Sequence, residues 1–208
     1  MAEAEDIISN LSNIEKDALK EIGNIGAGNA ATAFSQFLDC KIDMTVPSVE
    51  ILPISDVPEI TGDVNQDVFG VLLQVMGETP ANLLFMLTED SIKHLLKIIL
   101  DREVDLAEID DVEISAIKEI GNILSGSYLS ALNKLTGFNL IQSVPGFAYD
   151  MAGAIISSSL IPLSKTSDYT LLIETTFIDG DQRIEGYFLL LPHVGSLAKI
   201  LEALGFDM

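Results

Sequence analysis

The sequence predicts an α+β fold that is internally duplicated, with a mainly antiparallel sheet and two long helices packed on it. The hexapeptide Lys-Glu-Ile-Gly-Asn-Ile at residues 20–25 returns letter for letter at 118–123, so two copies of one unit lie 98 residues apart. No linker rich in Pro, Gly or Ser separates them, and the hydrophobic content of 48% is ample for a core. We therefore expect one domain over 1–208, built from pseudo-twofold repeats of about 11–100 and 109–208.

A long helix opens each repeat. Apolar residues spaced three or four apart predict helices over 11–37 and 112–135, each with one apolar stripe that faces the core. The two stripes consist of Leu11, Ile14, Ala18, Ile22 and Ile25, and of Val112, Ala116, Ile120 and Ile123.

Three strands and a shorter helix follow in each repeat. They are predicted at 41–46, 68–77, 81–87 and 90–100, and again at 139–144, 169–178, 185–191 and 195–204. The first strand of each set stops at the repeat proline, Pro47 or Pro145, which is tolerated there because its missing N–H lies off the ladder. The repeats differ next, since residues 149–158 form a segment of small residues with no clear counterpart after Pro47.

Composition excludes several classes of function. With 32 acidic and 11 basic residues the net charge is −21, which argues against binding to nucleic acid or to anionic membranes. Cys40 is the only cysteine, the N-terminus is acidic where a signal peptide is basic, and no apolar run could span a bilayer. We therefore expect a soluble cytoplasmic protein. His94 and His193 have no partner at ligand spacing, so no metal site is expected.

Each long helix carries a row of three polar residues on one face. The first helix carries Asp17, Glu21 and Asn24. The second helix carries Ser115, Glu119 and Asn122, each 98 residues later. In each copy 22 residues separate the Asn from the repeat proline. A merely solvated helix face is the simple alternative, although it would not require the same carboxylate and carboxamide twice.

Glycines interrupt both helices close to the polar rows. Gly23, Gly26 and Gly28 lie in the first helix, and Gly121 and Gly126 repeat two of them. Each costs about 1 kcal/mol relative to alanine. Either another molecule approaches the helix backbone closely or the helix packs tightly inside the protein. The glycines are not a dinucleotide-binding loop, because their order is wrong for that fingerprint, they do not follow a strand, and Leu124 replaces the middle glycine in the second copy.

The residue types of the rows indicate their chemistry. Asparagine is a poor acid or base, but its carboxamide offers two donors and an acceptor that can position a water molecule. A neighbouring glutamate can anchor a cation. This combination suits hydrolysis of an already reactive phosphoryl group, in which catalysis is mostly positioning.

The motif Asp/Ser-x-x-x-Glu-x-x-Asn, followed after 22 residues by Pro, resembles the signature of the CheC/CheX/FliY family of chemotaxis phosphatases. The two-copy arrangement most resembles the CheC branch of that family. The resemblance implies hydrolysis of the aspartyl phosphate of the response regulator CheY, with Mg²⁺ on the regulator and no cofactor of this chain's own. By this match the glutamates of the rows pair with the regulator's lysine and the asparagines orient the attacking water. Asp17 and Ser115 support the surface, the prolines shape it, and a monomer is expected.

The same resemblance implies a second partner, the receptor deamidase CheD, bound through a short helix in the second repeat. The matching residues are Asp150, Met151, Ala152, Gly153 and Ala154, with Asp150 as the receptor-mimicking acidic group. An ordinary packing helix is the alternative for this segment. For the whole protein the alternative is a non-enzymatic adaptor of the flagellar-switch type that binds phosphorylated CheY, and the asparagine kept in both copies favours catalysis.

Overall fold

The computed structural model describes residues 11–39, 41, 43–45, 48–53, 56–57, 63–160, 169–179, 182–193 and 195–206. The helices are α1 (Asn13–Leu38), α2 (Glu89–Leu100), α3 (Asp111–Thr136), α4 (Ala152–Leu160) and α5 (Ser196–Ala203). The strands are β1 (Asp43–Thr45), β2 (Val49–Pro53), β3 (Asp67–Met76), β4 (Ala81–Thr88), β5 (Ile141–Gln142), β6 (Gly146–Met151), β7 (Tyr169–Asp179) and β8 (Gln182–Pro192).

The strands form one eight-stranded sheet in which every described pair is antiparallel. The long strands β7, β8, β4 and β3 are neighbours in that order, and β4 meets β8 where the two repeats join. The short strands form the edges: β1 and β2 pair with β7, while β5 and β6 pair with β3. Each repeat therefore completes the sheet of the other. The predicted α+β class with an antiparallel sheet is confirmed.

The strand that follows each proline was not predicted from the sequence. Of the predicted strand 139–144 only Ile141–Gln142 is paired, and after Pro145 the chain pairs again with the same neighbour as β6. The proline, which has no N–H, interrupts the ladder without ending the edge. β2 follows Pro47 in the same way, although Pro47 itself lies outside the described residues.

The segment 149–158 is consequently less distinctive than the sequence indicated. Its first residues belong to β6, which has its counterpart in β2. Its remaining residues belong to α4. The first-repeat residues equivalent to α4 are 54–62, and they lie outside the described part of the chain except for Asp56 and Val57. Val57 is buried in the same apolar cluster as Ile155 of α4.

Both long helices begin with the same cap, although their cap residues differ. The Ser12 side chain accepts from the Glu15 N–H, and the Glu15 carboxylate accepts from the Ser12 N–H at 2.6 Å, which is a capping box. Asp110 and Glu113 form the same box at α3. The hydrogen bonds from Ser12 lower the pKa of the Glu15 carboxyl.

The two long helices pack against each other and against one face of the sheet through glycines. A Cβ atom at Gly26 would lie 2.4 Å from Cδ1 of Tyr128, and one at Gly121 would lie 2.5 Å from Cγ1 of Val71. Tight internal packing therefore explains these two glycines. Gly28 is different, since a Cβ there would meet nothing within 4 Å.

The predicted apolar stripes were wrong at Ile14 and Val112, the first residue of each stripe that lies inside its helix. Ile14 is 70% exposed and Val112 is 59% exposed. Each lies three residues before the first member of a polar row, on the face that the row occupies. The buried face of α1 instead follows Leu19, Ile22, Gly23 and Gly26.

The opposite face of the sheet is covered by α4. Ala152, Ile155 and Ile156 pack there on residues of four strands, among them Leu84 and Leu189. Since both faces are covered, all residues from Ala81 to Leu87 in β4 are buried.

We expect Gly26→Ala to destabilise the protein and Gly28→Ala not to. Both glycines are in α1, so alanine gains helix propensity of about 1 kcal/mol at either position. At Gly26 the added methyl would overlap the Tyr128 ring, and overpacking of this kind costs about 1–3 kcal/mol. Urea unfolding measures both variants. Equal stability of the two proteins would contradict the packing role of Gly26.

Candidate functional site

In the second repeat, Glu119 and Asn122 lie side by side on α3. The Asn122 nitrogen Nδ2 donates to Oε2 of Glu119 at 3.4 Å. Glu119 is exposed and Asn122 is half-buried. Ser115 is also exposed, and its hydroxyl donates to the carbonyl oxygen of Asp111 at 2.7 Å. The polar row is therefore accessible along its whole length.

An open groove of about 420 Å³ runs beside this row. Its lining residues all belong to the second repeat: Ser115, Lys118, Glu119, Asn122, Gln142, Ser143, Val144 and Pro145. The structure thus brings the row and the repeat proline together. The groove places a carboxylate, which can pair with a cation, beside a carboxamide, which can hydrogen-bond a small polar group, and its ammonium group can pair with an anion.

Gln142, on β5, is a member of this site that the sequence did not reveal. Its nitrogen Nε2 donates to the backbone oxygen of Asn122 at 3.1 Å and also to the side-chain oxygen Oδ1 of Asn122. Its own oxygen Oε1 is buried without a hydrogen-bond partner among the described residues. Met44 occupies the equivalent position of the first repeat, so the comparison of the two copies gave no signal for Gln142.

In the first repeat, the row of Asp17, Glu21 and Asn24 is exposed on α1. Pro47, the remaining predicted member, lies outside the described residues. The two rows are carried by two different helices, and the groove of about 420 Å³ is lined by residues of the second repeat alone.

Each row continues into an exposed apolar residue. Ile14 precedes the first row and Val112 the second, at positions 98 residues apart in the sequence. Val144, which is 89% exposed, adds an apolar side chain to the groove of the second repeat. Both rows and the groove are thus bordered by exposed aliphatic side chains.

The segment predicted to bind a second partner is only partly accessible. Asp150 and Met151 end β6 and are exposed, whereas α4 begins at Ala152, which is fully buried. The prediction that these residues share one short helix is therefore wrong for the first two. The Gly153 N–H donates to the Val64 oxygen at 2.9 Å, and a Cβ at Gly153 would lie 3.2 Å from the same oxygen. Its small size serves packing within the chain.

Tyr149 fixes the edge strand next to Asp150. Its ring stacks on Phe69 with the centroids 4.3 Å apart, and its hydroxyl donates to the Glu89 carboxylate. This hydrogen bond to a carboxylate raises the pKa of Tyr149 to about 12.

Neither a membrane-spanning helix nor a metal-binding cluster is found within the described ranges. None of the helices there combines the length and the apolar character needed to cross a membrane. No group of three or more His, Cys, Asp or Glu side chains in those ranges is placed to hold a metal ion.

Sequence comparison finds relatives along the whole chain. The model of the CheC-like family matches residues 14–51 and 112–149, and each stretch contains one polar row and its proline. The CheY-P phosphatase CheC of Bacillus subtilis (strain 168) is 33% identical over 210 residues, which cover 97% of this chain and 99% of that protein. The flagellar motor switch phosphatase FliY of the same organism is 33% identical over 145 residues, which cover 66% of this chain and 36% of that protein.

Solved structures share the fold at lower identity. The X-ray structure of Thermotoga maritima FliY has a TM-score of 0.78 with 22% identity and covers 94% of this chain and 98% of that one. The FliM middle domain from H. pylori has a TM-score of 0.67 with 10% identity and covers 93% of this chain and 99% of that one. At these identities the likeness establishes the fold alone.

Proposed function

This chain belongs to the CheC-like family, and we propose that it is a phosphatase that hydrolyses the aspartyl phosphate of the response regulator CheY. The observation that carries the proposal is the accessible pair of Glu119 and Asn122, hydrogen-bonded at 3.4 Å in a groove. Glu21 and Asn24, three residues apart in the sequence like that pair, are exposed in the other repeat. The name of the B. subtilis relative, CheY-P phosphatase CheC, supports the choice of substrate.

In the proposed reaction a water oxygen forms a bond to phosphorus while the bond from phosphorus to the aspartate oxygen breaks. Inorganic phosphate leaves, and the regulator regains its free carboxylate. Asn24 and Asn122 position the water through their carboxamides, and Glu21 and Glu119 pair with a lysine of the regulator. Because the acyl phosphate is already reactive, positioning suffices and the chain needs no acid or base of its own. Mg²⁺, where required, is held by the regulator.

An adaptor that binds phosphorylated CheY without turnover would need the docking surface but not a water-positioning group. The asparagine present in both rows favours turnover. We also propose that the protein acts in the cytoplasm as a monomer, for which the lone cysteine and the net charge of −21 are the support.

We further propose that CheD binds this chain at the end of β6 and the start of α4. The resemblance of residues 150–154 to the family's CheD-binding segment is the reason for this choice. Asp150 and Met151 are its exposed groups, while Ala152 is buried and would act only by holding the backbone.

We expect Asn24→Ala and Asn122→Ala each to reduce phosphate release from phosphorylated CheY, and the double variant nearly to abolish it. A single group that stabilises a transition state is typically worth about a hundredfold in rate or more. Thr32→Ala, an exposed change on α1 about two turns beyond Asn24, serves as the control. Unchanged phosphate release in the double variant would contradict the catalytic role of the asparagines. Binding of the regulator by the natural protein without any acceleration of phosphate release would establish the adaptor instead.

We expect Val112→Ser to weaken docking of the regulator without slowing the chemical step. Val112 is 59% exposed beside the row, so docking would bury most of its side chain. Burial of a valine is worth about 1.5–3 kcal/mol when complete, which predicts a rise in KM of roughly five- to tenfold for this partial case. The change is made with Asn24→Ala so that only the second site is measured. Leu135→Ser, at a residue that is 40% exposed far along α3, is the control, and an equal KM in both variants would exclude Val112 from the docking surface.

We expect Asp150→Lys to weaken CheD binding by about 2 kcal/mol or more, the loss expected of an interface hot spot. Phosphate release without CheD should persist, because the polar rows lie elsewhere. Calorimetry measures the affinity, and Glu50→Lys, an exposed residue on β2, provides the same change of charge at the other edge of the sheet. Unchanged affinity in the Asp150 variant would assign the segment to packing alone.

A further inference from the structure

We propose that Gln142 is a positioning residue of the second site, which holds the Asn122 carboxamide in one orientation before the regulator binds. This inference rests on the proposed function of Asn122. It concerns a side chain that lies outside the repeated motif and belongs to one repeat only.

Hydrogen-bond chemistry fixes the orientation of both amides. The backbone oxygen of Asn122 can only accept, so the Gln142 atom 3.1 Å from it is the nitrogen Nε2. That nitrogen also faces the Asn122 side chain, whose atom there is consequently the acceptor Oδ1. The Asn122 nitrogen Nδ2 therefore points to Glu119 and to the groove. Without Gln142 only the longer hydrogen bond to the Glu119 carboxylate, at 3.4 Å, would hold the carboxamide in this orientation.

The position of Gln142 is itself well fixed. Gln142 itself pairs with Val75 of β3. The next residue, Ser143, donates its N–H to the backbone oxygen of Gln74 at 2.8 Å, and its hydroxyl oxygen accepts from the Gln74 N–H at 3.0 Å. On the other side, the Asn133 side chain makes two hydrogen bonds of 2.9 Å to the backbone of Leu140. The chain around Gln142 is thus tied to the sheet and to α3, so its amide is a fixed reference for Asn122.

The buried oxygen of Gln142 argues that the amide nitrogen is needed. Oε1 is buried and unpaired among the described residues, which is unfavourable for a carbonyl oxygen. An apolar side chain would avoid that cost, and the first repeat has one at the equivalent position, Met44. A thioether has no hydrogen to donate, so the same restraint cannot act on Asn24 from that position.

The experiment is carried out on the full chain with Asn24→Ala, which leaves the second site alone to act. Gln142→Met introduces the residue of the first repeat, and Gln142→Glu keeps the shape but replaces the donating amide by oxygen. Phosphate release is measured over a range of concentrations of phosphorylated CheY, and unfolding is measured in parallel. Gln36→Met, at an exposed residue near the end of α1, is the matched control.

Both Gln142 variants should lower kcat by about three- to tenfold, the range expected for loss of one hydrogen bond, and leave KM unchanged. Gln142→Met should have no further effect once Asn122→Ala is present, because Gln142 acts through that residue. An unchanged kcat, a change confined to KM, or an additive loss in the Asn122→Ala background would each overturn the inference. If Asn24→Ala with Asn122→Ala keeps the activity of Asn24→Ala, the proposed catalytic role of asparagine fails instead.

A readout without turnover makes the test independent of activity. The side-chain amide protons of Asn122 are identified in the NMR spectrum of the labelled protein as the pair lost in Asn122→Ala. In the natural sequence we expect them to be shifted from the values of exposed asparagines, and in Gln142→Met to move toward those values. Resonances that do not move in Gln142→Met would show that Asn122 is not held by Gln142.

Discussion

The contact of α3 with strand β3 is the constraint on which the second candidate site depends. Gly121 faces Val71 of β3 with no side chain between them, so the helix backbone lies close to the sheet. Asn122 follows Gly121 and points about 100° further round the helix, which brings its carboxamide to the boundary between core and solvent. The same strand pairs with Gln142 through Val75. β3 therefore sets both partners of the hydrogen bond, and a strand of the first repeat supports a site made of second-repeat residues.

The sequence was informative wherever a feature had to occur twice. The repeat offset located the long helices, the polar rows and the antiparallel pairing of equal halves, because the same scaffold and the same packing are required in both copies. It did not locate the strands after the prolines. A proline removes one ladder hydrogen bond, but the chain beyond it can pair again with the same neighbouring strand. The helical periodicity also placed Ile14 and Val112 in the core, because spacing alone does not distinguish a residue facing the sheet from one covering a functional face.

Gln142 shows the limit of reading function from a repeat. Its proposed role depends on the approach of the edge strand β5 to the helix α3. The residue pattern of β5 does not indicate which residue of α3 lies opposite. The same limit applies to the segment at 150–154, where small residues suited either a partner or internal packing. Burial of Ala152 and the contact of Gly153 with Val64 assign those two to packing. Ala154 is half-buried, and Asp150 and Met151 are the exposed residues of the segment.

The helix contact also explains why the two repeats are not interchangeable. Gly26 of α1 receives the ring of Tyr128 from α3, and the residues equivalent to these two by the offset of 98 are Leu124 and Ala30. At both of these positions the small residue thus belongs to the first repeat and the large one to the second. Two first repeats would oppose Gly26 and Ala30 and leave a void, while two second repeats would bring Tyr128 against Leu124 and overpack the contact. The duplicated halves have become complementary, and this complementarity allows their two sites to differ while sharing one core.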